Sequence, residues 1–305
     1  MNDTARAWVL NLDAEHELEA RGRYQPTQHL LEIVARERKR LLGSLVGPQD
    51  VVLGIDDPER ARGLPGLAWS PTPRALAQLA AVGARPVAAP SLEVLRAVNA
   101  RPFAAQVRAP LQRASFEKHV VLTLEDALAR LVQPAPEGWL VRRTFGAAGR
   151  GRRRIAAGKP SQAERAWIEA SLRLGPLVIE PWVQVTREYT RSAFVDARGT
   201  VTISVPCTQE TTREGAWTGT QLAQAGELAH EDDSELEAAV ESAGRALARA
   251  GYFGPFGIDA YRHRALDGSA RTCLNPLSEI NARFTMDWKL AMNPSGKDER
   301  LDGLT

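Results

Sequence analysis

Asn275-Pro276-Leu277-Ser278-Glu279-Ile280-Asn281-Ala282-Arg283 decides how the chain is read, together with an earlier apolar run, Phe256-Gly257-Ile258-Asp259-Ala260-Tyr261. If both runs are strands, side-chain alternation places Glu279 and Asn281 on one face, and Asp259 faces them from a neighbouring strand. Carboxylate and amide oxygens are the hard ligands that Mg²⁺ prefers, and one or two carboxylates plus nucleotide phosphates usually hold this ion. Arg283 lies on the same face if the strand continues, where it would meet phosphate oxygens. Two readings stand side by side: a magnesium site of Asp259, Glu279 and Asn281, or an edge strand whose polar side faces water.

The rest of the chain sets bounds on that choice. Its 305 residues suffice for two or three compact subdomains. A composition 44% hydrophobic and 25% charged, with a net charge of +2, demands no polyanionic partner. Cys207 and Cys273 lie far apart with no ligand-spaced His or Cys, so neither a zinc site nor a disulfide framework is indicated, and a reducing compartment is expected. Acidic residues at 13, 15, 17 and 19 follow the apolar run 7–12, which is not the pattern of a signal peptide. No span approaches the roughly 20 apolar residues of a membrane helix. A cytoplasmic protein with no membrane partner is expected.

Before the central stretch, short apolar runs alternate with helical periods. Strands are expected at 8–12, 51–55, 67–69 and 87–89, with helices opened by Thr27, by Thr72 with Pro73, and by Ser91. This makes a parallel α/β domain to about residue 100. It carries no Gly-x-Gly-x-x-Gly after its first strand, so a dinucleotide site there is not expected. Asn11, Asp13 and Glu15 stand where a ligand could meet the strand end, but a solvated loop is the preferred reading.

Further along, Arg142-Arg143-Thr144-Phe145-Gly146-Ala147-Ala148-Gly149-Arg150-Gly151-Arg152-Arg153-Arg154 lies between two apolar edges. Glycines let backbone N–H groups close around an anion, and arginines add fork-shaped donors, so the stretch reads as a phosphate-clamping hairpin. A mobile surface turn and a nucleic-acid track compete with that reading. The track is disfavoured by a single aromatic, Phe145, and by the balanced overall charge. Leu177-Val178-Ile179-Glu180-Pro181-Trp182-Val183 is a strand broken by proline, which leaves backbone groups and apolar walls suited to an adenine edge, or is an ordinary strand end. Glu188 opens the next strand. Residues 208–220 show no period and are expected to form a substrate loop or to be disordered. Arg187, Arg191 and Arg213 are read as solvated surface, with recognition of an acidic substrate as the alternative.

In this order the pieces resemble the ATP-grasp superfamily from about Val98 to Met292. The resemblance rests on Val98-Asn99-Ala100-Arg101-Pro102-Phe103, the 142–151 loop, Ile179-Glu180-Pro181-Trp182-Val183 with Glu188, Asp259, and Glu279-Ile280-Asn281-Ala282-Arg283. It implies an α/β protein that turns α+β toward its C-terminus. A pre-ATP-grasp domain would occupy residues 1–98, a lid subdomain 99–178 and a catalytic subdomain 179–305. It further implies that Arg101 and Arg142 contact ATP phosphates, with Gly146, Gly149 and Gly151 in the loop above them. Glu180 and Val183 would touch adenine, and Glu188 the ribose. Asp259, Glu279 and Asn281 would hold Mg²⁺, with Mn²⁺ as a substitute, and Arg283 would steady the transferred group. The expected activity joins a carboxylate, activated by ATP as an acylphosphate with release of ADP, to an amine. Amino acids or peptides are candidate substrates, and a homodimer is common among such enzymes. The alternatives are a phosphotransferase, a nucleotide-binding module without turnover, and an arginine-loop nucleic-acid binder. The chain departs from the family in having arginine at both basic positions, where lysine is common, and Arg143 where a proline or small residue is usual.

Overall fold

The structure is a computed structural model and describes residues 5–20, 22–111, 118–146, 151–211, 217–224 and 226–293. Its first part runs β1 (Ala7–Val9), α1 (Ala14–Glu19), α2 (Gln28–Leu45), β2 (Val51–Val52), β3 (Pro65–Ala68), α3 (Pro73–Ala81), β4 (Arg85–Pro86) and α4 (Leu92–Val98). The four strands form one parallel sheet in the order β2-β1-β3-β4. Thr27, Thr72 and Ser91 each accept the backbone N–H three residues on, so all three expected caps are in place. The expected strand at 87–89 lies two residues earlier, because Arg85 and Pro86 are the residues that pair with β3.

A second sheet follows α5 (Arg101–Arg108), with β5 (His119–Val121), α6 (Leu124–Leu131), β6 (Trp139–Arg143), β7 (Arg152–Ile155), α7 (Gln162–Leu172) and β8 (Leu177–Pro181). It is antiparallel in the order β5-β8-β6-β7, and α6 and α7 bury Ala127, Leu131 and Ile168 against Val141, Ile155 and Ile179. Ser161 and Glu164 form the reciprocal capping box that starts α7.

The third sheet carries the central stretch. It contains β9 (Val185–Val195), β10 (Val201–Ile203), β11 (Cys207–Thr211), β12 (Trp217–Leu222), then after α8 (His230–Arg249), β13 (Gly254–Arg264) and β14 (Thr272–Asn281); α9 (Trp288–Met292) follows. The order is β12-β11-β9-β13-β14, with β10 paired to β9. Residues 208–220 are thus not an aperiodic loop: β11 and β12 pair as an antiparallel hairpin, of which 212–216 lie outside the described residues. One face of this sheet packs on α8, where Val240, Ala243 and Leu247 meet Phe256, Ile258 and Ile280. Each of the larger of these side chains contributes about 1.5–3 kcal/mol of burial, and the polar groups of the sheet lie on the opposite face.

The first sheet is docked onto the segment after β14. Trp8, Phe284 and Trp288 meet edge to face, with ring centroids 5.1 and 5.2 Å apart, and Phe284 N–H donates to the Trp69 carbonyl at 3.1 Å. This contact fixes where α1 lies relative to Arg283. Among the described residues no helix is long and apolar enough to cross a membrane.

Candidate active site

The site begins on the face of the third sheet that α8 leaves uncovered. In the antiparallel register of β13 and β14, Asp259 stands opposite Glu279 and Gly257 opposite Asn281. Asp259, Glu279 and Asn281 therefore share one face, as alternation requires. Gly257 is needed there, since a Cβ would fall 2.4 Å from the Thr285 methyl carbon. Asn281 Nδ2 donates to Asp259 Oδ2 at 2.9 Å. Withdrawal from water, then the charge of Glu279, pushes the Asp259 carboxyl up to about 7. Among the described residues no three of His, Cys, Asp and Glu gather into a cluster, so a metal here would be held by two carboxylates and an amide.

Glu279 is the opposite case. Burial would raise its carboxyl, but Arg101, Arg142, Arg283 and Lys118 together bring it down to about 2. Arg142, on β6, reaches Glu279 Oε2 at 2.7 Å and Glu180 Oε1 at 3.4 Å. Arg101, at the start of α5, reaches Glu279 Oε1 at 3.1 Å and donates to the Gly146 carbonyl at 2.6 Å and the Arg143 carbonyl at 3.0 Å. One guanidinium thus ties the root of the β6–β7 hairpin to the sheet face that carries Asp259 and Glu279. Arg143 N–H closes the hairpin on the Gly151 carbonyl at 2.8 Å, and Gly151 holds φ at +70° with Phe145 O only 3.0 Å from where a Cβ would be. Gly149 lies outside the described residues.

Glu180, on β8, is 1% exposed, and its carboxylate faces inward. Burial raises its carboxyl, but Lys118, Arg142 and Arg108 hold it below the usual carboxylate range. Lys118 stands 3.3 Å from Glu180 Oε2 and donates to the Ser278 carbonyl at 2.6 Å, so it bridges the second and third sheets. Burial lowers its ammonium to about 8. Sequence reasoning missed Lys118. Its only local signal is a lysine entering the short apolar run of β5. Val183 lies in the link from β8 to β9. Glu188, on β9, pairs in register with Tyr261, and Thr190 with Asp259, so Glu188 belongs to the site face.

Arg283 donates through Nη2 to Asn281 Oδ1 at 2.9 Å and to Glu15 Oε1 at 2.8 Å, and its guanidinium lies 5.1 Å from the centre of the Trp69 ring. Glu15, Asn99, Arg101, Thr144, Gly146, Glu279 and Asn281 line one cleft. The solvated loop expected at the end of β1 is not found. Asn11 is buried with its amide on the Ser70 carbonyl, and buried Asp13 takes Arg74 at 2.7 Å and the Tyr24 hydroxyl at 3.1 Å. Nor is Arg191 solvated: it is buried against the Ser204 carbonyl and Asp233 on the α8 side. Arg187 is the exposed partner of Glu227, and Arg213 lies outside the described residues. The arginine run does not present one track. Arg142 and Arg143 turn inward, the latter to Ser171, while exposed Arg153 and Arg154 lie over Trp167 and Trp182.

No protein-family model matches the chain, and no curated protein matches it in sequence. Solved structures do match. Biotin carboxylase from Campylobacter jejuni, in a β,γ-ATP complex, aligns with a TM-score of 0.55 at 13% identity, over 93% of this chain and 67% of its own. D-alanyl-alanine synthetase A from Vibrio cholerae gives 0.52 at 14% identity, over 96% of this chain and 92% of its own. N5-carboxyaminoimidazole synthetase from Staphylococcus aureus, complexed with ADP, gives 0.52 at 12% identity, over 94% and 77%. At such identities the likeness is one of fold, and the fold of this chain is the ATP-grasp fold.

Proposed function

We propose that the chain is an ATP-dependent, ADP-forming ligase that activates a carboxylate as an acylphosphate and passes it to an amine. The observation that carries this reading is the cross-strand pair Asp259–Glu279 with Asn281 beside it, ringed by Arg101, Arg142 and Arg283. The oxygens of this trio suit Mg²⁺, and a partly buried Asp259 whose proton is retained up to about pH 7 is a carboxylate short of a cation. When bound, the ion would neutralise charge on the phosphate oxygens.

The chain's own groups do the remaining work. Arg101 and Arg142 are the donors offered to nucleotide phosphates, and to meet them they must share or give up Glu279. The hairpin carrying Gly146, Gly149 and Gly151 covers those phosphates and keeps water from the acylphosphate. The link at Glu180 and Val183 takes the adenine edge, and Glu188 the ribose hydroxyls. Arg283 faces the group in transfer and offsets its developing charge, the main protein contribution to phosphoryl transfer. Small carboxylates and amines are the substrate classes, and a homodimer in the cytoplasm is the expected setting.

The test is the melting temperature with Mg²⁺ and a non-hydrolysable ATP analogue, followed by ADP release with carboxylate and amine pairs. Ligand at about 100 times its Kd adds about 2.7 kcal/mol, a rise of several degrees. No magnesium-dependent rise would overturn the nucleotide site. ADP release that needs a carboxylate but no amine would favour the phosphotransferase alternative.

A further inference from the structure

Glu279 answers to two claims. It is one of the residues proposed for Mg²⁺, and it is also the anion on which Arg142 and Arg101 close, at 2.7 and 3.1 Å. The two contacts take separate oxygens, Oε2 for Arg142 and Oε1 for Arg101, so both ends of the carboxylate are engaged. A cation therefore reaches Glu279 only in competition with two guanidinium groups, and a phosphate reaches those groups only in competition with Glu279. The Arg101 and Arg142 side chains are 9% and 11% exposed and that of Glu279 25%, so water screens these charges only in part. Each ligand alone meets a double opposition. A metal ion that takes the carboxylate leaves two arginines facing a dication, and an anion that takes the arginines leaves a carboxylate facing phosphate. Bound together, each supplies the partner that the other has removed.

The surrounding contacts keep this exchange local. Arg142 retains Glu180 at 3.4 Å, and Glu180 retains Lys118 at 3.3 Å. Arg101 retains the Arg143 carbonyl through Nη1 and the Gly146 carbonyl through Nη2. A guanidinium has five N–H donors, so Arg101 trades a carboxylate for a phosphate oxygen while the root of the β6–β7 hairpin stays tied.

We infer that Glu279 is a built-in competitor, an internal stand-in for phosphate that closes Arg101 and Arg142 against a free anion and is itself closed by them against a free metal ion. The site then accepts nucleotide and metal together and each poorly alone. The inference rests on the ATP reading for the identity of the phosphates, while the competition between Glu279 and an anion for the two arginines does not depend on it.

The test measures the two ligands separately on the whole chain at one pH. Calorimetry in EDTA follows ADP and, as a probe without base or sugar, inorganic pyrophosphate; the electron paramagnetic resonance signal of the free ion follows Mn²⁺ added alone. Glu279→Gln is expected to bind metal-free ADP and pyrophosphate about 10- to 100-fold more tightly than wild type, the range for one charge-assisted hydrogen bond no longer contested. Arg101→Met is expected to bind Mn²⁺ alone about 10-fold more tightly than wild type. If Glu279 served only as a metal ligand, Glu279→Gln would show no gain for either anion; if Arg101 served only phosphate, Arg101→Met would show no gain for Mn²⁺. Either result overturns the inference. Thermal melting reports whether each variant is folded, and should one not fold, the other arm decides alone. A gain for pyrophosphate in a protein that never binds ADP overturns the ATP reading and leaves the competition standing. Binding of ADP with Mg²⁺ by wild type, with no gain in either variant, overturns the competition and leaves the ATP reading standing.

Discussion

Glu279→Gln keeps the shape of the side chain and removes the charge that Arg101 and Arg142 share. The Glu279 carboxyl is held at about 2 against a usual 4.5, so its surroundings favour the charged form. At 1.36 kcal/mol per pH unit that amounts to about 3 kcal/mol. Water screens part of it, because the side chain is 25% exposed. A second route gives a similar size. The variant weakens contacts at 2.7 and 3.1 Å, but Arg142 keeps Glu180, and Arg101 keeps the Arg143 and Gly146 carbonyls. Neither arginine is stranded, so the cost falls below the roughly 3–5 kcal/mol of a broken buried pair. The variant also relieves Asp259, whose carboxyl is raised first by burial and then by Glu279. The expected net loss is about 2 kcal/mol at pH 7. A depressed carboxylate contributes stability that is present above its unfolded value and lost as pH falls through the folded one. The gap between wild type and variant should therefore be open at pH 7, widen somewhat as Asp259 takes up its proton below about 7 and the relief it gives the variant fades, and shrink as pH falls from 4.5 toward 2, the interval set by the Glu279 carboxyl. Urea midpoints across that range, with unchanged slopes, make the measurement. Equal midpoints at pH 7, or a gap that persists undiminished at acid pH, would refute the claim that Glu279 holds the two arginines.

Two further changes probe the same architecture. Lys118 has a folded pKa of about 8 against 10.5, so the native state binds fewer protons between those values and wild-type stability gains from this group as pH rises through 8. Lys118→Met should remove that upward slope in urea midpoints between pH 7.5 and 9.5; a variant with the wild-type slope would show that the ammonium is not the buried group. Gly151→Ala places a Cβ at φ +70° and 3.0 Å from Phe145 O, a strain of about 1–2 kcal/mol. Its melting temperature should fall by a few degrees and its response to the ATP analogue by more, and a more stable variant would mean that the hairpin does not hold this conformation.

Why some of this was legible and some was not follows from the range over which each cue acts. The face shared by Glu279 and Asn281 needed only strand alternation, which is local, but Asp259 meets Glu279 because the pairing shifts by two residues after Tyr261–Asn275, an irregularity that the turn at Asp267-Gly268 does not announce. The hairpin at 208–220 carried no alternation to read, because β12 buries neither side fully. Asn11 and Asp13 looked solvated because polar residues are cheap to expose, yet burial costs little once Arg74, 61 residues on, pairs with Asp13. Carboxylates can thus be nominated from a strand pattern, but the cations that hold them are supplied by other elements and leave no period behind. Lys118 meets Ser278 across 160 residues, and Glu15 meets Arg283 across 268. Neither contact is set by the helix or strand that carries it. The Trp8–Phe284–Trp288 contact brings α1 to Arg283, and substitutions that loosen that apolar packing should weaken a charge pair that none of those rings touches. The Glu15–Arg283 side of the cleft is in this sense specified by hydrophobic docking, while the Asp259–Glu279 side is carried on the strands themselves.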